Sequence, residues 1–430
     1  VSPPLADVRS AIIEPYAWCD SPFGMNHAYP WDFLLRLARA GGLTWMRDWS
    51  VKWHTVEPGR GKWDFSVTDP QIDRIVAADQ RPLMLLPFPS APWCSTVDTA
   101  TVRKYATGNA FLEKRFAMAY PARRPELFRD YVAFSTRQYR DRVDHYEILN
   151  EPLYTTYAVP ERFGFGIQDY LRHLKDAYHA IKAEQPGARV IGGIGAWPNN
   201  PWVRRFIAEG GLDLCDVINV HLYPATVPPA LYATDLRECL DAMRAQENEK
   251  PIWLTEFGCY ADDDPHIFPT AMIGDSAMQR ARWPSERTAA EALVKSAAVF
   301  LSHGIEKIFY HAGTCGPING NSGGGIFFEY GGTPRKMYAA QTVLANLLGP
   351  RPEPVSLPRR ISNLSAYAFR TGEQFTAIVW SSPNQKRELP LPPAVSARTI
   401  MGNLIPSGTV SISETPVYLS AQKVADLALD

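Results

Sequence analysis

The chain has 430 residues, of which 46% are hydrophobic, and a formal net charge of -1 at pH 7. This balance of charges gives no indication of a basic surface for nucleic acid, and no nucleic-acid partner is expected. The length exceeds that of one average domain, but it suits a barrel of roughly 250 to 400 residues with a small second domain. Because the apolar runs are short and interrupted by charged residues, the sequence predicts no membrane-spanning segment.

The N-terminus and the cysteines bear on the compartment. The first residues, VSPPLADVRS, lack the basic start and apolar stretch of a signal peptide, and the chain does not begin with Met. We therefore expect a processed chain that is secreted or periplasmic, with a cytoplasmic location as the alternative. The six Cys show no CxxC pair and no zinc-ligand spacing with His. Scattered buried thiols are favoured over disulfides, although the even count permits disulfides.

Between about residues 8 and 348, short runs rich in β-branched and aromatic residues alternate with longer helical patterns. This alternation is typical of βα units with parallel strands, and eight such units predict a TIM barrel, (β/α)8, of the α/β class. One strand is expected near Ala11–Tyr16. The other seven predicted strands are Thr44–Asp48, Pro82–Phe88, His145–Asn150, Val190–Ile194, Val217–Tyr223, Ile252–Phe257 and Lys307–His311.

Amphipathic helices are predicted between these strands, the clearest being Trp31–Ala40, Gln168–Glu184 and Ser285–His303. Beyond Gly349-Pro350 the pattern changes to Pro-rich turns and alternating segments without a long helix. Residues 351–430 are therefore predicted to form a small antiparallel β-sandwich domain behind a catalytic barrel of residues 1–350. The N-terminal residues are a further candidate for one strand of this domain.

Two glutamates stand at the ends of predicted apolar strands. Glu151 follows the strand in YEILNEP, and Glu256 closes the apolar run in IWLTEFG. The C-terminal ends of barrel strands point into the active site, and a carboxylate there is costly to bury unless it is used or paired. Glycoside hydrolysis needs two such carboxyl groups: about 5 to 5.5 Å apart for retention and about 6.5 to 9.5 Å apart for inversion.

The motifs LNEP and TEFG resemble the catalytic motifs of clan A glycoside hydrolases, and WMRDW and VHLYP resemble that clan's motifs on the second and sixth strands. By this resemblance Glu151 is the acid/base and Glu256 is the nucleophile of a retaining enzyme that cleaves β-glycosidic bonds. Asn150 then holds the sugar 2-hydroxyl, while Arg47 and Tyr223 orient Glu256 and keep it ionised. The substrate implied is a glycoside, an oligosaccharide or a polysaccharide.

Family 39 is the most similar family within the clan, because the C-terminal run IMGNLIPSGTVSISETPVYLSA resembles its accessory β-sandwich. His221 in VHLYP either bridges the two carboxylates or is a satisfied core histidine. The eighth strand reads IFYHAGT where many clan members have a tryptophan, so Tyr310 or His311 is expected to substitute for it. Trp93 and Trp197 are further candidate sugar platforms, with ordinary packing as the alternative for each.

No cofactor and no metal are implied. The segment ADDDP offers oxygen ligands for calcium, but it lacks the spacing of an EF-hand, so a solvated acidic cluster is the favoured interpretation. The Gly-rich segment NGNSGGG lacks the ending of a phosphate-binding loop. The main alternative to an enzyme is a non-catalytic carbohydrate-binding barrel of a cell-surface or polysaccharide-processing system. The sequence does not predict an oligomeric state.

Overall fold

Eight parallel strands close a barrel in the computed structural model, which describes residues 14–26, 32–224, 226–261, 263, 283–311, 326–328, 333–357 and 363–427. Each strand pairs with its neighbours in chain order, and β8 pairs with β1. The strands are β1 (Phe23–Asn26), β2 (Trp45–Asp48), β3 (Arg81–Leu86), β4 (His145–Ile148), β5 (Arg189–Gly192), β6 (Val217–Leu222), β7 (Ile252–Phe257) and β8 (Ile305–His311).

Helices pack around the barrel and connect its strands. In the described residues they are α1 (Asp32–Ala40), α2 (Trp53–Val56), α3 (Asp69–Ala77), α4 (Thr99–Ala106), α5 (Ala110–Ala119), α6 (Pro125–Tyr139), α7 (Ile167–Glu184), α8 (Pro201–Ala208), α9 (Pro229–Arg244), α10 (Glu286–Ser302) and α11 (Lys336–Leu348). Helix α10 begins at a capping box in which the Ser285 hydroxyl accepts from the Thr288 amide. No helix in these ranges is long and apolar enough to cross a membrane.

The predicted fold class is confirmed, and seven of the strands lie where the sequence predicts them, within two residues at each end. The expectation for the first strand is wrong. Residues 14–16 are not a strand, and residues 11–13 lie outside the described ranges. The first strand is β1, whose Gly24 allows close approach, because a Cβ there would lie 2.8 Å from Trp45 and 2.7 Å from Phe309.

The barrel interior is layered. An apolar layer closes the end from which the strands start, and its buried members are Trp45, Leu83, Ile191, Val217, Trp253 and Phe309. Because side chains alternate along a strand, the next inward residues stand two positions further on. In four of the strands these residues are polar, namely Arg47, Asn219, Thr255 and His311. The barrel therefore changes from apolar to polar along its axis, toward the carboxyl ends of the strands.

The C-terminal strands form two antiparallel sheets. They are β9 (Glu353–Val355), β10 (Leu364–Thr371), β11 (Gln374–Ser381), β12 (Arg387–Leu391), β13 (Ser396–Thr399), β14 (Leu404–Ile405), β15 (Gly408–Ile412) and β16 (Val417–Ala421). The larger sheet has the order β14-β13-β16-β11-β10-β9, and β12 pairs with β15 in the smaller one. Val379 and Leu419 of the larger sheet share a core with Val410 of the smaller one, as in a β-sandwich.

The larger sheet is buried on its other face as well. Ile378, Trp380 and Tyr418 belong to the same apolar cluster as the barrel helices. The Thr415 hydroxyl also donates to the Glu291 carboxylate of α10 at 2.8 Å. The division of the chain at residue 350 stays a prediction, as does a contribution from the first thirteen residues, which lie outside the described ranges.

Candidate active site

The polar side chains that the sequence analysis singles out gather at the carboxyl ends of the barrel strands. Glu256 is the fifth residue of β7, Arg47 is the third residue of β2, and Tyr223 directly follows β6. Glu151 stands three residues beyond the end of β4. Of these four, Arg47 is fully buried, and Glu256 is only 5% exposed.

Glu256 is held by a cation and a phenol. The Arg47 Nη1 donates to its Oε1 at 2.6 Å, and the Tyr223 hydroxyl donates to its Oε2. Burial raises the pKa of this carboxyl, but His221, Arg47 and His311 together outweigh burial and hold the pKa well below its ordinary value. Glu256 is therefore a carboxylate at neutral pH.

Glu151 has the opposite environment. Burial raises its pKa, and the negative charge of Glu256 raises it further, whereas the contact with His221 opposes both. Its Oε1 lies 3.0 Å from Nδ1 of His221. The Tyr154 hydroxyl, which donates to the Gly195 carbonyl, also lies close to this carboxyl. Two nearby carboxyl groups with pKa values moved apart suit one acid and one nucleophile.

His221 lies between the two carboxyl groups. Its Nδ1 is 3.0 Å from Glu151 and 3.6 Å from Oε2 of Glu256, and its Nε2 is 3.0 Å from the Thr255 hydroxyl. One ligating atom from each of Glu151, His221 and Glu256 lies within 4.8 Å of the others. Of the two interpretations of His221, the bridging one matches this geometry.

The same three side chains have donor types that divalent metals accept. Both oxygens of Glu256, however, already accept hydrogen bonds from Arg47 and Tyr223. A cation placed between the carboxylates would also lie close to the buried guanidinium, which repels it. The donor set therefore fits a proton-transfer site better than a metal centre.

The backbone turns sharply where Glu151 leaves the strand. Glu151 has a φ of 42°, and Leu149 and Leu153 have φ values of 60° and 74°. Residues other than glycine rarely adopt this left-handed region, and such strain is concentrated at functional sites. The turn departs from the regular alternation of β4 and presents Glu151 beside His221.

Sequence reasoning missed Glu147, which lies in the middle of β4 and is fully buried. Its carboxylate accepts from Nε of Arg47 at 2.6 Å and from Nη2 at 3.0 Å. The signal was an acidic residue inside the apolar run HYEIL, where an unpaired charge is costly. Nη2 of Arg47 also donates to Oδ1 of Asn150 at 2.9 Å, which connects Asn150 to the same network.

An aromatic pair at the mouth of the site was also missed. Trp49 lies above Arg47, with the guanidinium carbon 5.4 Å from the ring centroid. The Tyr157 ring packs edge-on to Trp49 at 5.9 Å, and both side chains are half-buried. The Trp49 indole donates to Oδ1 of Asn26, whose buried Nδ2 has no partner among the described residues. These groups suit a sugar ring and its hydroxyls.

The remaining predicted sugar contacts divide into two groups. His311 lies in the site, because its Nδ1 is 2.6 Å from the Tyr260 hydroxyl and its ring is 5.9 Å from that of Tyr223. The neighbouring Tyr310 points into the apolar cluster between the barrel and its helices instead, and its ring packs against Phe257. Alternation along β8 explains why adjacent residues point in opposite directions.

The two predicted tryptophan platforms have packing partners. The Trp93 indole donates to the Glu57 carbonyl at 2.8 Å, and its ring packs edge-on to Trp53. Trp197 is 9% exposed and donates to Asp235 at 2.7 Å. The packing alternative accounts for these contacts, and a sugar contact by either indole stays a prediction.

Residues 172–283 match the family model described as the glycosyl hydrolase catalytic core. This segment contains His221, Tyr223 and Glu256, whereas Arg47 and Glu151 precede it. No curated protein matches the chain.

Solved structures match nearly the whole chain. A family 39 glycoside hydrolase from Bacteroides cellulosilyticus is 18% identical, with a TM-score of 0.65 over 94% of this chain and 81% of that one. A monomeric beta-xylosidase from Caulobacter crescentus is 14% identical, with a TM-score of 0.61 over 96% and 97% of the two chains. A family 30 endoxylanase from Clostridium papyrosolvens is 14% identical, with a TM-score of 0.57 over 95% and 97%.

These matches confirm the resemblance to clan A glycoside hydrolases, including the likeness to family 39, which is a likeness of fold. The match to the catalytic-core model also confirms the prediction that the chain is a glycoside hydrolase.

Proposed function

We propose that this glycoside hydrolase cleaves β-glycosidic bonds with retention of configuration, with Glu256 as the nucleophile and Glu151 as the general acid and base. The observation that carries the proposal is a pair of adjacent carboxyl groups with opposite pKa shifts, downward for Glu256 and upward for Glu151. One partner is therefore ready to attack while the other still holds its proton.

The short separation favours retention over inversion. Oxygens of Glu151 and Glu256 lie within 4.8 Å of each other. An inverting enzyme places a water molecule between its base and the sugar, which requires carboxyl groups roughly 6.5 to 9.5 Å apart. A pair this close instead supports direct attack by one carboxylate on the anomeric carbon.

The reaction then has two steps. In the first, the Glu256 carboxylate bonds to the anomeric carbon while the bond to the leaving oxygen breaks, and Glu151 gives its proton to that oxygen. In the second, Glu151 takes a proton from water, whose oxygen bonds to the anomeric carbon and releases Glu256. Glu151 thereby returns to its protonated form.

The surrounding side chains orient these two groups. The bonds from Arg47 and Tyr223 leave Glu256 little freedom to rotate. The bond from Arg47 to Oδ1 of Asn150 fixes the amide so that its NH₂ group is left to bind the sugar 2-hydroxyl. His221 adjoins both carboxyl groups, where it supports the change in charge of Glu151 between the two steps.

The names of the structural relatives guide the choice of substrates to test. Two of them are a beta-xylosidase and an endoxylanase, so aryl β-xylosides and xylan are the first substrates to test, followed by β-glucosides. The half-buried Trp49 and Tyr157 provide apolar faces against which a pyranose ring stacks.

Replacement of Glu256 tests the nucleophile. Glu256→Gln keeps the size of the side chain but cannot form the covalent intermediate, so we expect kcat to fall by more than about a thousandfold. Glu286→Gln is a matched control, because Glu286 is a buried glutamate paired with Arg335 outside the site. Product stereochemistry followed by NMR completes the test: an inverted product, or a Glu256→Gln variant with the wild-type rate, contradicts the proposal.

Replacement of Glu151 tests the acid. For Glu151→Ala we expect a large loss with alkyl or sugar leaving groups and a small first-step loss with activated aryl glycosides, whose departure needs little protonation. Pre-steady-state release of the aryl group separates the two steps. Equal losses for both substrate types would remove Glu151 from the acid role. Sugar binding without turnover on the whole panel would favour the non-catalytic alternative.

A further inference from the structure

We propose that Glu147 is a positioning residue for this reaction. Glu147 fixes the plane of the Arg47 guanidinium, and the positive charge of Arg47 is shared between Glu147 and Glu256. The inference rests on the proposed function, because it assigns Glu147 a role through the nucleophile. Glu147 itself is fully buried and forms an ion pair with Arg47.

The contacts of Glu147 account for both of its oxygens. Oε2 accepts from Nε of Arg47 at 2.6 Å, and Oε1 accepts from Nη2 at 3.0 Å, which is a two-point contact with one edge of the guanidinium. Oε1 also accepts from Nδ2 of Asn219 and from the Thr255 hydroxyl at 3.1 Å. Strands β4, β6 and β7 thus hold one carboxylate, and a two-point contact sets the plane of the arginine.

The orientation of the opposite edge of the guanidinium is then fixed as well. Nη1 meets Glu256 at 2.6 Å, and Nη2 additionally meets Oδ1 of Asn150 at 2.9 Å. A tilt of the guanidinium plane would break both contacts at once. Glu147 therefore orients the nucleophile and the proposed 2-hydroxyl ligand through a single intermediary.

Glu147 also sets the charge of the site. One buried arginine forms ion pairs with two carboxylates. The net charge of the group is therefore minus one, summed over Arg47, Glu147 and Glu256. Without Glu147 the arginine would act on Glu256 alone, and the set would be neutral. The transition state of glycoside hydrolysis has oxocarbenium character and is positive, so the additional negative charge stabilises it.

Other ionisable groups face this cluster from the strands and loops that surround it. They are Glu151 and Tyr154 after β4, Tyr170 of α7, His221 of β6, Tyr223 after β6 and His311 of β8. The pH dependence of the reaction reports on all of them together, so the test compares variants rather than interpreting one profile.

Glu147→Gln removes the charge of this side chain and keeps its size. We expect kcat to fall about 10- to 100-fold while KM changes by less than about threefold, because the variant disturbs the nucleophile rather than substrate binding. Loss of a negative charge lowers the pKa values of nearby carboxyl groups. Both limbs of the pH profile of kcat/KM should therefore move to lower pH.

Glu286→Gln is the control for the loss of a buried glutamate. Glu286 is 4% exposed, and its Oε1 accepts from Arg335 Nη1 at 2.6 Å. It stands at the first turn of α10, away from the carboxylate pair. We expect this variant to lose stability, but to keep both limbs of the pH profile and the kcat of the folded fraction.

Glu147→Asp is the second variant, which keeps the charge and shortens the reach. We expect wild-type pH limbs and a reduced kcat, because the two-point contact with Arg47 is lost. Folded Glu147→Gln with unmoved pH limbs would overturn the proposal. If only Glu147→Asp folds, a kcat equal to that of the wild type would overturn it as well.

Failure of this inference is distinguishable from failure of the proposed function. If Glu256 is not the nucleophile, Glu256→Gln retains turnover whatever Glu147 does. If only the positioning role is wrong, Glu256→Gln is inactive and Glu147→Gln keeps the wild-type pH limbs.

Discussion

At the scale of single residues, the two glutamates owe their different chemistry to what surrounds them. Glu256 meets a guanidinium and a phenol, whereas the partners of Glu151 are an imidazole and a second carboxylate. Identical side chains thereby acquire pKa values on opposite sides of their ordinary value. The proposed division into acid and nucleophile follows from this contrast.

The Tyr223 hydroxyl gives the first of three further predictions. Tyr223→Phe removes a hydrogen bond that lowers the pKa of Glu256. The pKa should therefore rise, and the acid limb of the kcat/KM profile should move to higher pH. A hydrogen bond to a charged group contributes about 1.5 to 3 kcal/mol, so a roughly 10- to 100-fold loss of kcat is expected.

The control for this variant is Tyr232→Phe, since the Tyr232 hydroxyl donates to the Thr226 carbonyl rather than to a carboxylate. Steady-state kinetics across the pH range measures both variants. An acid limb that stays in place or moves to lower pH in Tyr223→Phe would contradict the assigned role of the phenol.

At the scale of elements, the loops after β4 and β5 position the acid. The loop after β4 turns through left-handed backbone at Glu151, and a hydrogen bond joins it to the loop after β5. Gly195, in this second loop, has a φ of 62°, and its carbonyl accepts from Tyr154. A Cβ on Gly195 would lie 3.2 Å from the His221 ring, so this glycine permits His221 to approach Glu151.

Gly195→Ala gives the second prediction. The added methyl group should displace His221 from Glu151 and lower kcat by about tenfold or more, because small misplacements at a reacting centre are costly. Alanine at positive φ should also reduce the free energy of unfolding by about 1 to 2 kcal/mol. Denaturant titration and steady-state kinetics measure the two effects separately.

Gly210→Ala is the matched control. Gly210 also has a positive φ, 91°, but a Cβ there would meet nothing within 4 Å. The control should lose similar stability and keep its kcat. Comparable kinetic losses in both variants would mean that backbone strain, and not the contact with His221, is responsible.

At the scale of the whole molecule, the β-sandwich and the barrel share one apolar cluster. Tyr310 of β8 and Tyr418 of β16 belong to it, and the hydroxyls of both have no hydrogen-bond partner among the described residues. Burial raises the pKa of Tyr310 well above its ordinary value, and Tyr418 adds to this shift. The two rings therefore lie on either side of the contact between barrel and sandwich.

Removal of these hydroxyls gives the third prediction. A buried hydroxyl without a partner costs free energy, so Tyr310→Phe and Tyr418→Phe should each be neutral or stabilise the fold by about 1 kcal/mol. Tyr131→Phe is the control: its buried hydroxyl donates to the Val51 carbonyl at 2.6 Å, and its loss should destabilise by about 1 to 2 kcal/mol.

Thermal unfolding measures the stability of all three variants, and aryl glycoside turnover tests the role of Tyr310. Unchanged turnover is expected in Tyr310→Phe, because this side chain lies in the apolar cluster outside the barrel interior. A marked rise in its KM would instead support the sequence-based prediction of a sugar platform.

The expected secreted or periplasmic location stays a prediction, which cell fractionation would test.

The sequence by itself determined the barrel, its repeating order and the principal catalytic candidates. Short runs rich in β-branched and aromatic residues predict seven of the strands, and the residues around Glu151 and Glu256 form contiguous motifs. Such information is local and is readable without tertiary structure. The first strand escaped prediction because Gly24 has a low strand preference, which close packing against Trp45 and Phe309 overrides.

Only the tertiary structure decided which distant side chains meet. Arg47 and Glu147 are 100 positions apart in the chain, yet they form a buried two-point ion pair. The opposite orientations of Tyr310 and His311 depend on the register of β8 with its neighbours in the closed barrel. The shifts of the two glutamate pKa values are likewise tertiary, because burial and neighbouring charges act through space rather than along the chain.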